Sequence, residues 1–220
     1  VGSEQHFKVI NPYTQELVGT VPIVSKKLIQ ETLDQASEAR HSLSGLERAI
    51  ILEKISERLK EHKEEFAQLI TQELGACIKQ SRYELDRSYA VFQQAAALAR
   101  TIDDEDVTAP YVLEKKEKAK LTVISEPLRL VVGITPFNHP LNQIAHKIAP
   151  AIAAGTTIVL KPSEKTPLTA LKFGELIKDL VPAGMVNIIT GYPPKEIVDQ
   201  MITHPAVELV SFTGGVDVGK

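Results

Sequence analysis

From His6 to Val24 apolar and polar residues alternate around Asn11-Pro12-Tyr13-Thr14. That period belongs to a half-buried strand folded back at a proline turn, and it predicts a short surface hairpin. From Lys26 to Arg100 the apolar spacing lengthens to three and four, in Ile29, Leu33 and Ala36, then Ile51, Ile55 and Leu59, then Phe66, Leu69, Ile70 and Leu74. Residues so spaced share one face of an α-helix, and with Gly45 and Gly75 as punctuation the segment reads as about three or four helices. The acidic run Asp103-Asp104-Glu105-Asp106 ends it and reads as a solvated connector rather than a metal site.

Two strand-like runs follow, Tyr111-Val112-Leu113 and Leu121-Thr122-Val123-Ile124, separated by the charged tip Glu114-Lys115-Lys116-Glu117-Lys118. A lone two-stranded ribbon is marginal in water, so pairing with another subunit is its natural use. From Leu128 onward short apolar runs recur, at Leu130-Val131-Val132-Gly133-Ile134, Thr157-Ile158-Val159-Leu160, Val186-Asn187-Ile188-Ile189 and Val207-Glu208-Leu209-Val210. The stretches between them are long enough for crossover helices, which predicts an α/β fold with a Rossmann-like parallel sheet. Thr166 and Pro167 offer a cap and a first-turn proline, and Gly155 and Gly184 stand where helices should stop. The expected organisation is an N-terminal hairpin and helices over 1–106, a protruding oligomerisation ribbon over 107–127, and a dinucleotide-binding half over 128–220.

Composition narrows the partners. The 220 residues are 43% hydrophobic, enough for a sizeable core, and 25 basic against 28 acidic residues leave a net charge of -3 with no single-sign field. That argues against nucleic acid and anionic lipid as partners and for a small ligand. No stretch is apolar and long enough to span a membrane and no signal pattern opens the chain, so the expected compartment is the cytoplasm. One cysteine, Cys77, makes neither an internal disulfide nor a metal cluster. His139 and His146 lack a third ligand at useful spacing, so no metal site is expected.

In open α/β sheets ligands bind beyond the C-terminal strand ends, which directs attention to three loops. The first is Thr135-Pro136-Phe137-Asn138-His139-Pro140, where Asn138 is either an amide donor to an oxyanion or a helix cap. The second is Lys161-Pro162-Ser163-Glu164-Lys165-Thr166-Pro167, whose cation, hydroxyl and carboxylate suit ribose hydroxyls or make a plain loop salt bridge. The third is Ser211-Phe212-Thr213-Gly214-Gly215, with glycines opening a helix toward Val218 and Gly219, either a phosphate cradle or a bare glycine turn. Its spacing is not GxGxxG.

These three motifs, in this order and spacing, resemble the aldehyde dehydrogenase superfamily, and the resemblance extends over essentially the whole chain. It implies oxidation of an aldehyde to a carboxylate: a cysteine thiolate attacks, the thiohemiacetal gives hydride to NAD (NADP being the other choice), and water hydrolyses the thioester. By resemblance, Asn138 donates to the oxyanion, Lys161 and Glu164 hold the adenosine ribose, and Ser163 between them belongs to the cofactor-binding set. Phe212, Thr213, Gly214 and Gly215 lie beside nicotinamide and pyrophosphate. Ile134, Thr135, Pro136 and Phe137 line the cofactor channel, with Gly191 and Val218 near the adenine. The run Asn138 to Asn142 looks like that of members acting on small polar aldehydes such as lactaldehyde or phosphonoacetaldehyde, and the ribbon like the assembly element of the superfamily's dimers and tetramers.

Two departures stand out. Gly215 fills the position where the family has a phosphate-contacting hydroxyl, so that contact comes from a backbone amide or is lost. The nucleophilic cysteine and general-base glutamate are expected beyond residue 220, Cys77 being structural, so that the chain alone would be inactive. The alternatives are a non-catalytic nucleotide-binding or interaction module, or an acyl-transferring member of the same superfamily.

Overall fold

The computed structural model describes residues 5–39, 41–102, 105–107, 121–123 and 125–219. The expected hairpin is present as β1 (His6–Ile10) and β2 (Leu17–Pro22), antiparallel with Phe7 opposite Val21. Its turn is held by Asn11, whose Oδ1 accepts from the amides of Tyr13 and Thr14 at 2.8 and 3.1 Å. It is less superficial than the alternation suggested. Val9 and Val21 are buried, and the Thr190 hydroxyl donates to Pro22 O at 3.0 Å.

Four helices follow: α1 (Lys26–Glu38), α2 (Gly45–Glu61), α3 (Lys63–Leu74) and α4 (Ile78–Ala99). Two of the starts are capped by local side chains. Ser25 accepts from Leu28 N, and Ser44 with Glu47 forms a reciprocal capping box. Gly75, at φ +75°, ends α3 in the left-handed region that glycine enters without steric cost. Cys77 stands at the N-cap position of α4, makes no side-chain bond to it, and is exposed.

A separate two-stranded sheet pairs β3 (Glu105–Val107) with β4 (Leu121–Val123), Asp106 opposite Thr122. The partner strand is thus drawn from the acidic run that read as a connector. Antiparallel pairing uses main-chain groups, so composition alone does not exclude a charged strand from a ribbon. The expected strand Tyr111 to Leu113 and the charged tip lie outside the described residues.

The remainder alternates β5 (Leu130–Ile134), α5 (Pro140–Ala154), β6 (Thr157–Lys161), α6 (Pro167–Ile177), β7 (Val186–Ile188), α7 (Pro194–Ile202), β8 (Leu209–Phe212) and α8 (Val216–Gly219). All four strands are parallel, in the order β7-β6-β5-β8. Chain order reverses between β5 and β8, which makes that pair the switch point of a Rossmann-like sheet. Alternate residues feed two cores. Val131, Ile158 and Leu160 join α2 to α6, whereas Val132, Ile134 and Val159 join α1 and α7.

Two boundaries differ from expectation. The fourth strand begins two residues later than Val207, because Val207 N is used in a turn to His204 O; Ser211 and Phe212 are therefore strand rather than loop. Gly184, at φ +81°, shapes the turn into β7 and not the end of α6, which stops at Ile177. Among the described residues no helix is long and apolar enough to cross a membrane, and no cluster of three or more His, Cys, Asp or Glu could hold a metal ion.

Candidate functional site

The three candidate loops leave the sheet at one level. Ile134 stands opposite Lys161 on one side and Phe212 on the other. The ladder runs one step further, Thr135 N donating to Lys161 O at 3.2 Å and Thr213 N to Ile134 O at 3.1 Å. Backbone register therefore brings Lys161, Ile134–Thr135 and Phe212–Thr213 together, across the switch point.

In the first loop Thr135 is buried, Pro136 half-buried, and Phe137 and Asn138 exposed. His139, not Asn138, occupies the N-cap of α5, so the capping role weighed for Asn138 is not the one it takes. In the second loop Lys161 is only 3% exposed. Its Nζ donates to Pro162 O at 3.1 Å and lies 3.8 Å from a Glu164 carboxylate oxygen. Burial pushes the Lys161 pKa down, and the Glu164 charge partly restores it. Ser163 Oγ accepts from Lys165 N at 3.3 Å. The two loops touch where Lys165 Nζ sits 4.3 Å from the Phe137 ring centre. Phe137, Glu164, Lys165 and Thr166 share with Lys8 and Glu73 a cleft of about 450 Å³.

The third loop is more open. A Cβ at Gly214 would come 2.5 Å from Phe212 Cζ, so the Phe212 ring lies on that glycine. A Cβ at Gly215 would meet nothing within 4 Å, leaving its backbone approachable. Val218, in α8, is exposed, and the loop amides in front of α8 are what this turn offers an anion. Gly191, ahead of α7, is buried against it, where a Cβ would come 2.5 Å from Ile197 Cδ1. Gly191 and Val218 follow the two outer strands, at opposite edges of the sheet.

Three buried charged groups here did not stand out in the sequence. Lys147 of α5, 8% exposed, donates to Thr213 Oγ1 at 2.7 Å, and burial lowers its pKa. Glu84 of α4 accepts from Leu141 N and Asn142 N at 2.8 and 3.0 Å, with His139 Nδ1 3.4 Å away; burial raises its pKa against those interactions. Glu73 of α3 accepts from Leu168 N at 2.5 Å, and from Thr169 N and Oγ1 at 3.0 and 2.7 Å. Its pKa is pushed up to about 7 by burial, which those bonds only partly offset. The signal that could have found them is a charged residue on an otherwise buried helical stripe, as in Phe66-Ala67-Ile70-Glu73 and Ser81-Glu84-Leu85-Ser88.

The model of the aldehyde dehydrogenase family matches residues 1–220. The chain belongs to that family. It is 38% identical over 223 residues to a betaine aldehyde dehydrogenase of Bacillus subtilis (strain 168), covering 99% of this chain and 44% of the relative. It is 36% identical to a lactaldehyde dehydrogenase of Methanocaldococcus jannaschii, covering 99% and 47%. Among solved structures, betaine aldehyde dehydrogenase from Staphylococcus aureus in complex with NAD+ superposes with a TM-score of 0.92 at 34% identity, over 100% of this chain and 44% of that one. Glyceraldehyde-3-phosphate dehydrogenase GapN from Methanocaldococcus jannaschii complexed with NADP gives 0.89 at 35%, over 98% and 48%. The chain thus spans a little under half the length of these family members.

Proposed function

We propose that this chain supplies the cofactor-binding and oxyanion-stabilising parts of an NAD-dependent aldehyde dehydrogenase acting on small polar aldehydes. The observation that carries the reading is the shared register of Lys161, Ile134 and Phe212 at the switch point, where a dinucleotide-binding sheet takes its ligand. The donor set fits NAD. An ammonium has three N–H donors, and Lys161 directs one at Pro162 O, leaving donors for a ribose beside the Glu164 acceptor. Gly215 leaves room for a phosphate against the backbone.

When bound, NAD supplies the hydride acceptor. This chain's residues do the rest of the holding: Lys161, Ser163 and Glu164 the adenosine ribose, Ile134 to Phe137 the wall of the channel, Phe212 to Gly215 the nicotinamide and pyrophosphate end. Gly191 and Val218 flank the adenine. The exposed Asn138 amide, which has no hydrogen-bond partner among the described residues, donates to the carbonyl oxygen as it gains charge. Cys77 is exposed at the head of α4 and does not line the cleft around Phe137, so we do not assign it the attacking thiolate. The lactaldehyde dehydrogenases among its relatives support a small polar substrate.

The ribbon over 107–127 would serve homo-oligomer assembly. β3 and β4 form a sheet of their own, and a pair of strands so isolated gains stability from a neighbouring chain. Replacing Tyr111 to Ile124 by a short glycine linker should then yield monomers or aggregates by light scattering; an unchanged oligomer would remove the ribbon from assembly.

The test of function is made on the full-length protein. It should bind NAD and oxidise lactaldehyde-sized substrates, and Asn138→Ala should lower turnover by about a hundredfold with NAD affinity nearly unchanged. Parallel losses in turnover and NAD affinity would make Asn138 structural, and a protein with neither activity nor NAD binding would reject the reading.

A further inference from the structure

We propose that Glu84 and Glu73 are the positioning residues of this site, each fixing the start of one crossover helix and thereby the loop in front of it. The inference rests on the function proposed above and assigns work to two side chains outside the loops that would hold cofactor and substrate.

The two helices begin alike. α5 opens with His139-Pro140-Leu141 and α6 with Thr166-Pro167-Leu168, and in neither does the N-cap side chain accept a helix amide. The first amides of a helix have no partner in the helix itself, and proline at the first position removes one donor but leaves the next two. In both helices a buried glutamate from the preceding helical layer takes those two. Glu84, 2% exposed on α4, accepts Leu141 N and Asn142 N on one oxygen and keeps the other 3.4 Å from His139 Nδ1. Glu73, 2% exposed on α3, accepts Leu168 N on one oxygen and Thr169 N and Oγ1 on the other.

A local serine or aspartate cap would satisfy the same amides, but it would travel with its own loop. A remote carboxylate ties the helix start to the scaffold. The loops so tied, residues 135–139 and 162–166, have equal length and are held at their other ends by the β5–β6 ladder. Each is pinned at both ends. Glu84 therefore sets where Asn138, two residues before Pro140, presents its amide, and Glu73 sets where Ser163 and Glu164 meet the ribose beside Lys161 at the end of β6.

This division of labour separates two readouts. In the full-length protein Glu84→Ala should lower kcat by about tenfold or more and leave the Kd for NAD within about twofold, as for displacement of an oxyanion donor. Glu84→Gln should restore most of kcat, because a single amide oxygen can accept both Leu141 N and Asn142 N. Glu73→Ala and Glu73→Gln should both weaken NAD by about tenfold while kcat at saturating NAD falls little, because both Glu73 oxygens act as acceptors and glutamine has only one. Amide hydrogen exchange should quicken at Leu141 and Asn142 in Glu84→Ala alone, and at Leu168 and Thr169 in the Glu73 variants alone.

Equal losses of kcat and NAD affinity in both alanine variants, with exchange quickened at both helix starts, would show general loosening and overturn the assignment. So would a Glu84→Ala protein with unchanged exchange and kcat. A wild-type protein that neither binds NAD nor oxidises an aldehyde would overturn the function and, with it, the positioning role, while an active wild type beside indifferent variants would overturn the positioning role alone.

Discussion

The loops after β5 and β6 and the loop after β8 leave the sheet side by side and would carry neighbouring parts of the proposed site, yet they are held in different ways. β5 and β6 are buried along their whole length, and their loops run into full crossover helices whose starts are clamped by glutamates. β8 is largely exposed, and among the described residues the side-chain bond that holds its loop is that of Lys147 on Thr213 Oγ1. The loops at Asn138 and Lys161 are thus tied to the core, whereas among the described residues Thr213 to Gly215 are held by the Lys147 bond, the β5–β8 ladder and the backbone turn at Gly215. A single change in the core should disturb the first two loops and spare the third.

The largest expected effect tests that tie directly. Phe92 of α4 stacks on Phe173 of α6 with ring centres 5.6 Å apart, both fully buried, and so joins the helix that carries Glu84 to the helix that Glu73 clamps. Phe92→Ala should cost about 3–5 kcal/mol of stability, read as a lowered denaturant midpoint. Amide exchange should quicken at the starts of α5 and α6 more than in the β8 loop. Uniform quickening would mean the three loops share one source of rigidity.

Next comes the pH dependence set by Glu73. Its carboxyl has an ordinary pKa of 4.5 and a folded-state value of about 7, so between those values the folded chain binds more protons than the unfolded one. Stability from this group is full below pH 4.5 and is lost as pH rises toward 7, by an amount on the order of 3 kcal/mol. His41 and His146, whose pKa values burial lowers, act in the opposite sense, losing stability as pH falls through 6.5. The difference between wild type and Glu73→Gln isolates the glutamate. Glutamine should flatten the decline from pH 5 to 7, and an unchanged slope would show that Glu73 stays ionised across the range.

How much of this could be read from the sequence depends on the range of the interactions. The four strands of the parallel sheet were legible as short apolar runs, and the candidate loops followed from where parallel strands end. β8 slipped by two residues because Val207, Leu209 and Val210 are all apolar, and only the turn through His204 O decides where the ladder starts. Glu84 and Glu73 were not legible, since the amides they accept lie 57 and 95 residues further along the chain. A glutamate in a helical repeat reads as a solvated face until its neighbours are known. β3 was hidden for a related reason, because a charged strand carries no alternation to detect.

A smaller change probes the loosely held loop. Thr213→Val keeps the shape of the side chain but removes the acceptor for Lys147, leaving a buried ammonium with one partner fewer. The cost should be about 1–3 kcal/mol, and exchange should quicken at Thr213 and Gly214 without change at Leu141 or Leu168. Quickening at α5 as well would show that Lys147 couples the loop to the helix it stands on and would blur the contrast between the regions.

The smallest effect sharpens the well-held side. If the second loop is rigid, Glu164 cannot swing away from a ligand, and its carboxylate, 3.8 Å from Lys161 Nζ, stands where a ribose would be held. Two ribose hydroxyls can donate to that carboxylate, whereas a 2′-phosphate brings a second anion against it. Lys161 and the neighbouring Lys165 soften the repulsion, and Glu164 keeps 29% of its side chain in water, so the penalty is screened. NAD should therefore bind more tightly than NADP by about fivefold, on the order of 1 kcal/mol. Titrating both cofactors against the full-length protein and its Glu164→Gln variant gives the measurement, with the preference expected to shrink once the charge is gone. A preference for NADP, or one indifferent to Glu164→Gln, would mean that the carboxylate does not face the ribose and that rigidity of this loop serves something other than cofactor choice.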